Sequence, residues 1–113
     1  MTTHTMNLKQ PYFEYIRSGY KTIELRLYDE KRQLINPGDN IIFKNGDMST
    51  IVTVKGLVRA ENFESLFDII DVKKTGLEDK EYAVNIMEQF YDKDMQTEFG
   101  VVGIIVESIE GVY

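Results

Sequence analysis

The chain has 113 residues, 42% apolar and 28% charged, which suits one globular domain with a single core. It has no cysteine, which excludes disulfides and thiolate metal sites, and its net charge of −6 argues against broad coating of nucleic acid, which needs clustered Lys and Arg. No apolar run approaches the roughly 18 residues of a membrane-spanning helix, and Met1-Thr2-Thr3-His4-Thr5 lacks the basic and apolar regions of a secretory signal. The expectation is a cytoplasmic protein with no membrane partner.

Thr3 to Leu8 reads as a short strand with His4, Met6 and Leu8 on one face. Pro11 suits the first turn of a helix, where its missing N–H has no helical partner. Tyr12, Phe13 and Ile16 then form a short apolar face, and Gly19 can end the helix in the left-handed conformation. From Thr22 the period changes to two. Ile23, Leu25 and Leu27 share the face expected to be core; Thr22, Glu24, Arg26 and Tyr28 share the other.

Asn36-Pro37-Gly38-Asp39 is a turn signal, and Asn45-Gly46 between Ile41–Lys44 and Thr50–Val58 is a hairpin signal. Asn62 is placed to cap a helix carrying Phe63, Leu66, Phe67 and Ile70 inward. A further helix is expected over 78–91 with Ala83, Ile86 or Met87, and Phe90 inward, and Thr75 and Glu78 have capping-box spacing. Segment 61–98 holds eleven acids and four bases, a pattern that fits a solvated helical face. Val101 to Ile109 is an apolar strand, and Gly103 within it points to a bulge or a close backbone approach. This order lacks the regular strand–helix alternation of a doubly wound sheet, so an α+β fold with a mostly antiparallel, barrel-like sheet is expected.

Phosphate-loop and dinucleotide-binding glycine motifs are absent, and one histidine cannot build a His-rich metal site; no metal or cofactor is assigned. His4 reads as a structural residue. The unusual stretch is 17–32. Arg17, Lys21, Arg26, Lys31 and Arg32 share it with only three acids, while the rest of the chain carries eight basic and sixteen acidic residues. Glu24 and Arg26, two apart, project from one strand face, and Lys21 sits at the preceding turn. Lys21 and Arg26 can donate to a phosphate or carbonyl, and Glu24 can accept from a base or a hydroxyl. The bland alternative is an exposed strand face with an ion-pair ladder. Lys31 and Arg32 add a corner able to meet phosphate, and Tyr20 and Tyr28 flank the stretch as stacking surfaces.

Gly19-Tyr20-Lys21-Thr22-Ile23-Glu24-Leu25-Arg26 resembles the G-x-K-x-x-E-x-R signature of ASCH domains, members of the PUA-like superfamily. His4-x-Met6-x-Leu8, Pro37-Gly38-Asp39-x-Ile41-x-Phe43 and Phe99-Gly100-Val101-Val102-Gly103-Ile104 resemble further segments of the family, in order along nearly the whole chain. The resemblance implies one PUA-like β-barrel domain over 1–113, of about five to six mostly antiparallel strands with about three flanking helices. It also implies a cleft beside the motif that binds RNA or a nucleotide-like ligand. Lys21, Glu24 and Arg26 carry over as cleft residues, with Tyr28, Lys31 and Arg32 as further ligand-binding candidates.

Some proteins of the ASCH fold, which this chain resembles, are small bacterial amidohydrolases acting on acetylated cytidine. Their site pairs a Lys with a Thr three residues later and a distant Glu. Here Glu24 stands three residues after Lys21, and Thr22 follows Lys21 directly. A carboxylate cannot simply replace a hydroxyl nucleophile in that role. The resemblance thus leaves an alternative to binding: hydrolysis of a modified nucleoside or of RNA, with Lys21 and either Glu24 or Thr22 as catalytic candidates. Glu81, Glu88 and Glu98 stand as unranked distant acids.

Overall fold

The computed structural model describes residues 1–109. Five strands, β1 (Thr3–Asn7), β2 (Ile23–Leu27), β3 (Asn40–Asn45), β4 (Met48–Ala60) and β5 (Val101–Ser108), form one sheet in the order β1-β3-β4-β5-β2. β1 runs parallel to β3, and the other pairs are antiparallel. The helices are α1 (Tyr12–Ser18), α2 (Phe63–Leu66), α3 (Lys80–Phe90) and α4 (Lys93–Phe99), with single 3-10 turns at Arg32–Leu34 and Val72–Thr75.

The sheet curls into a half-barrel with a core on each side. On the inner face, Met6, Ile41, Phe43, Val52, Val102 and Ile104 close around Phe13 and Ile16 of α1. On the outer face, Ile23, Leu25 and Leu27 pack against Phe63 and Leu66 of α2 and Ala83 and Met87 of α3. Each such fully buried side chain contributes about 1.5–3 kcal/mol. Alternation along β2 and β5 therefore selects between two cores.

Local signals set most boundaries. Gly19 ends α1 at φ 83°, its N–H donating to Ile16 O. Asn62 caps α2 by accepting from the Ser65 N–H. His4 lies in a structural network: Asp39 pairs with its Nε2 at 2.9 Å and accepts from the Thr2 and Asn36 N–H groups. The turn before β3 is thereby tied to β1.

Several expectations need correction. Four helices form, because Asp92 accepts from the Met95 N–H and starts α4 where one longer helix was expected to end. α3 starts after Asp79, which caps the Tyr82 N–H. Thr75 instead lies buried in a 3-10 turn and donates to Val72 O. Phe90 is 48% exposed, since the α3 stripe overhangs the end of the outer core. β4 extends past both expected ends, with its register shift between Val54 and Gly56. Gly103 marks a close approach: a Cβ there would lie 3.1 Å from Ile23 Cγ2.

Candidate functional site

The two outer strands, β1 and β2, face each other across the open side of the half-barrel. No ladder joins them, but long cationic side chains do. Arg26 Nη2 donates to Asn7 O at 2.7 Å, and Lys31 Nζ donates to Thr5 O at 2.8 Å. Two carbonyls of an edge strand thus gain partners, which blunts an edge otherwise open to pairing.

Glu24 lies behind this seam. Its register partner is Ile104, an inner-core residue, so its side chain points into the half-barrel. The second face of β2 is therefore buried, not an exposed ion-pair ladder. Lys21 Nζ lies 2.8 Å from Glu24 Oε1, and Arg26 Nε lies 2.7 Å from Glu24 Oε2. The Lys21 and Glu24 side chains are 5% and 4% exposed. Burial alone would raise the Glu24 carboxyl; Lys21 and Arg26 outweigh it and hold the group below its ordinary range. Burial would lower the Arg26 guanidinium, but Glu24 and then the Tyr91 hydroxyl raise it on balance. The group of three keeps one positive charge in excess. Such a group is stable only with each member well partnered, since an unpaired buried charge costs several kcal/mol.

The three side chains open onto a cavity of about 160 Å³. Tyr12, Ile86, Met87, Phe90 and Tyr91 give it apolar and aromatic walls. Lys21 Nζ also sits 5.0 Å from the Tyr12 ring centroid, so the phenol face adds to the stabilisation of the ammonium. Burial first, then the neighbouring Tyr82 and Tyr15, raises the Tyr12 phenol above its ordinary value and keeps it a donor. At the mouth, exposed Lys9 sits 5.5 Å from the Phe90 centroid.

A family model of the ASCH domain matches residues 6–110. The chain belongs to the ASCH domain family. Among solved structures, this ASCH domain is similar to the hypothetical protein PH0355, with 38% identity, a TM-score of 0.87, and 96% of this chain and 100% of that chain covered. It is similar to protein PF0455 from Pyrococcus furiosus at 32% identity and a TM-score of 0.78, over 96% and 99% of the two chains. An ASCH protein from Zymomonas mobilis shares the fold at 13% identity and a TM-score of 0.66, over 91% of this chain and 65% of that one. No curated protein matches the chain. The α+β half-barrel is the PUA-like fold that the motif implied.

The structure brings Lys21, Glu24 and Arg26 of this ASCH domain together and places the other candidates around them. Lys31 spans the seam to β1. Arg32 pairs with Asp29 at 3.0 Å. Tyr28 leaves the cavity and lies under the Arg59 guanidinium, 4.0 Å from ring centroid to Cζ, in a second depression. Thr22 lines a third depression with Ser18, Ile105 and the back of Lys21, and its N–H donates to Lys74 O. Tyr20 stacks edge-on against Tyr15 at 4.8 Å. Glu81 and Glu88 lie outside the cavity lining, and Glu98 lines the depression of Tyr28. Sequence reading missed Lys9, Tyr91 and Arg59. Lys9 and Tyr91 carry no local signal, because they meet the site only through long-range packing.

Among the described residues, no helix is long and apolar enough to cross a membrane, and no group of three or more His, Asp or Glu could hold a metal ion.

Proposed function

We propose that this ASCH domain binds RNA, or a nucleotide-like unit of it, with one base held in the cavity above Lys21, Glu24 and Arg26. The carrying observation is a buried, net-positive group of three opening onto aromatic walls. A cavity of about 150 Å³ accommodates one benzene-sized ring, so one planar base fits here with its sugar and phosphate left at the mouth. Tyr12, Phe90 and Tyr91 offer ring faces to the base. Lys21 and Arg26 donate to its carbonyl oxygens or to phosphate, and the ionised Glu24 accepts from base N–H groups. Exposed Lys9, beside Phe90 at the mouth, is available to the phosphate.

Binding fits this arrangement better than hydrolysis. Glu24 is held ionised by two cations and is a weak proton acceptor, and Thr22 does not line the cavity onto which the paired Lys21 and Glu24 side chains open.

The test titrates nucleoside monophosphates and a short single-stranded RNA into wild type and Arg26→Ala at two salt concentrations. Arg26→Ala is expected to weaken binding at least about tenfold, as loss of a charge-assisted contact does. Equal affinity would remove the reading. Incubation with acylated nucleosides and RNA covers the alternative: turnover abolished by Lys21→Ala, with the variant still folded at the assay temperature by circular dichroism, would replace binding by hydrolysis.

A further inference from the structure

Arg59 of β4 adjoins the cleft without lining it. Arg26 stands opposite Val102 on β5, and Val102 stands opposite Arg59, so all three side chains leave one face of the sheet. Two strand spacings, roughly 10 Å, separate the Arg26 and Arg59 backbones. Tyr28 follows Arg26 by two residues on that face, roughly 7 Å along the strand, and its N–H continues the ladder to Gly100 O.

The Arg59 guanidinium is exposed yet held, with Cζ 4.0 Å from the Tyr28 ring centroid. Among the described residues it makes no ion pair or hydrogen bond, although Glu61 and Glu98 line the same depression. A guanidinium stacked on an aromatic ring keeps its outer face and its N–H fork available. The depression, at about 730 Å³, is larger than the first cavity.

We infer that Tyr28 and Arg59 form a second nucleotide subsite, which makes the ligand a single-stranded RNA segment of at least two nucleotides and not a free nucleotide. This rests on the base-binding reading of the first cavity. The neighbouring base stacks on the outer face of the guanidinium, the arrangement used for unstacked bases in RNA recognition. The fork donates to the linking phosphate, on the side of Arg26. Glu61 and Glu98 repel phosphate from the far side and accept from base N–H groups, which fixes the direction in which the backbone passes.

The experiment measures affinities of wild type, Arg59→Ala, Arg59→Lys and Arg26→Ala for the four nucleoside monophosphates and for a six-nucleotide single-stranded RNA. Arg59→Ala should weaken the hexamer about tenfold, as loss of one stacked base does, and reduce the salt slope by about 0.7, as loss of one phosphate contact on a single strand does. Monophosphate affinity should not change. Arg59→Lys should restore the salt slope but not the affinity, because an ammonium offers no face for stacking. An unchanged hexamer affinity in Arg59→Ala, or an equal loss for monophosphate and hexamer, overturns the second subsite. If monophosphates still bind and Arg26→Ala weakens them, the first cavity stands while the second falls. If wild type binds neither probe, both fall. Arg59 is exposed, and equal unfolding temperatures confirm that its variants are folded; for Arg26→Ala, which loses a buried pair, circular dichroism at the assay temperature shows that the fold is kept.

Discussion

Lys21 Nζ lies 2.8 Å from Glu24 Oε1, with the two side chains only 5% and 4% exposed. A lysine–glutamate pair three residues apart is usually a surface feature worth about 0–1 kcal/mol. Here it is buried, and Arg26 occupies the second carboxylate oxygen. Such a pair serves stability weakly, because desolvation offsets much of the Coulomb attraction. At the floor of an aromatic cavity it presents two cations on one acid, the feature on which the proposed binding rests.

Glu24→Gln should therefore be strongly destabilising. It leaves Lys21 and Arg26 without their anion, and removing one partner of a buried pair costs about 3–5 kcal/mol. Adding Lys21→Met should recover part of that loss, since fewer uncompensated charges remain buried. Urea unfolding of both proteins measures it. A cost below about 1 kcal/mol for Glu24→Gln would mean that the pair behaves as a surface pair.

Acid sensitivity follows from two carboxylates. Hydrogen bonds from His4 and from the Thr2 and Asn36 N–H groups hold Asp39 down to about 2, and Glu24 also lies below its ordinary range. Both groups bind protons more tightly in the unfolded chain. Their stabilisation is thus complete above the ordinary carboxylate range, about 4, and is lost as pH falls through the lowered folded values. Unfolding temperature should be flat with respect to these groups near neutral pH and fall steeply from about pH 4 to about 2. Asp39→Asn should lower the neutral-pH value and flatten that fall. An unchanged slope would show that Asp39 is not responsible.

Much of this fold is written locally. Period-two spacing separates Ile23, Leu25 and Leu27 from Glu24 and Arg26, and Asn45-Gly46, Gly19 and Asn62 mark turns and caps by their own chemistry. The motif residues were legible as a group for the same reason. Burial of Glu24 was not, because alternation gives the parity of a face but not what covers it. The carbonyl that meets Arg26 comes from Asn7, nineteen residues away on a strand that β2 never pairs with. Phe90 follows Ala83 and Met87 at helical spacing, yet the stripe does not show where the core beneath it ends. Arg59 had a faint signal, since alternation from Leu57 puts it on the inner face.

Phe90 separates ligand binding from stability. At 48% exposure it lies at the cavity mouth and contributes little to the core. Phe90→Ala should leave the unfolding temperature nearly unchanged while weakening nucleotide binding about tenfold through a lost ring face. Met87→Ala, one turn earlier and 7% exposed, removes a cavity wall too but should in addition cost about 2–5 kcal/mol of stability. Calorimetry and a binding titration on both variants compare the two effects. If Phe90→Ala binds as wild type does, the ring is not a wall of the ligand site.

Gly76 supports Lys21 from behind. It closes the 3-10 turn at φ 84°, and a Cβ there would lie 3.0 Å from the Tyr15 ring and 3.4 Å from Lys21 Cδ. Gly76→Ala thus combines a left-handed backbone penalty of about 1–2 kcal/mol with crowding of the Tyr15 ring of about 1–3 kcal/mol, and a displaced Tyr15 moves Lys21, whose N–H donates to Tyr15 O. Gly46 in the β3–β4 turn is the control: its φ is 59°, but nothing lies within 4 Å of its added Cβ. Gly46→Ala should lose only the backbone part and bind nucleotide normally. Gly76→Ala should lose more stability and bind more weakly, because Lys21 can no longer meet Glu24 and the ligand together. Urea midpoints and nucleotide affinities for the two variants decide this. Equal stability losses with unchanged binding would show that Tyr15 and Lys21 yield freely around position 76, and that the Lys21 ammonium is positioned by Glu24 alone.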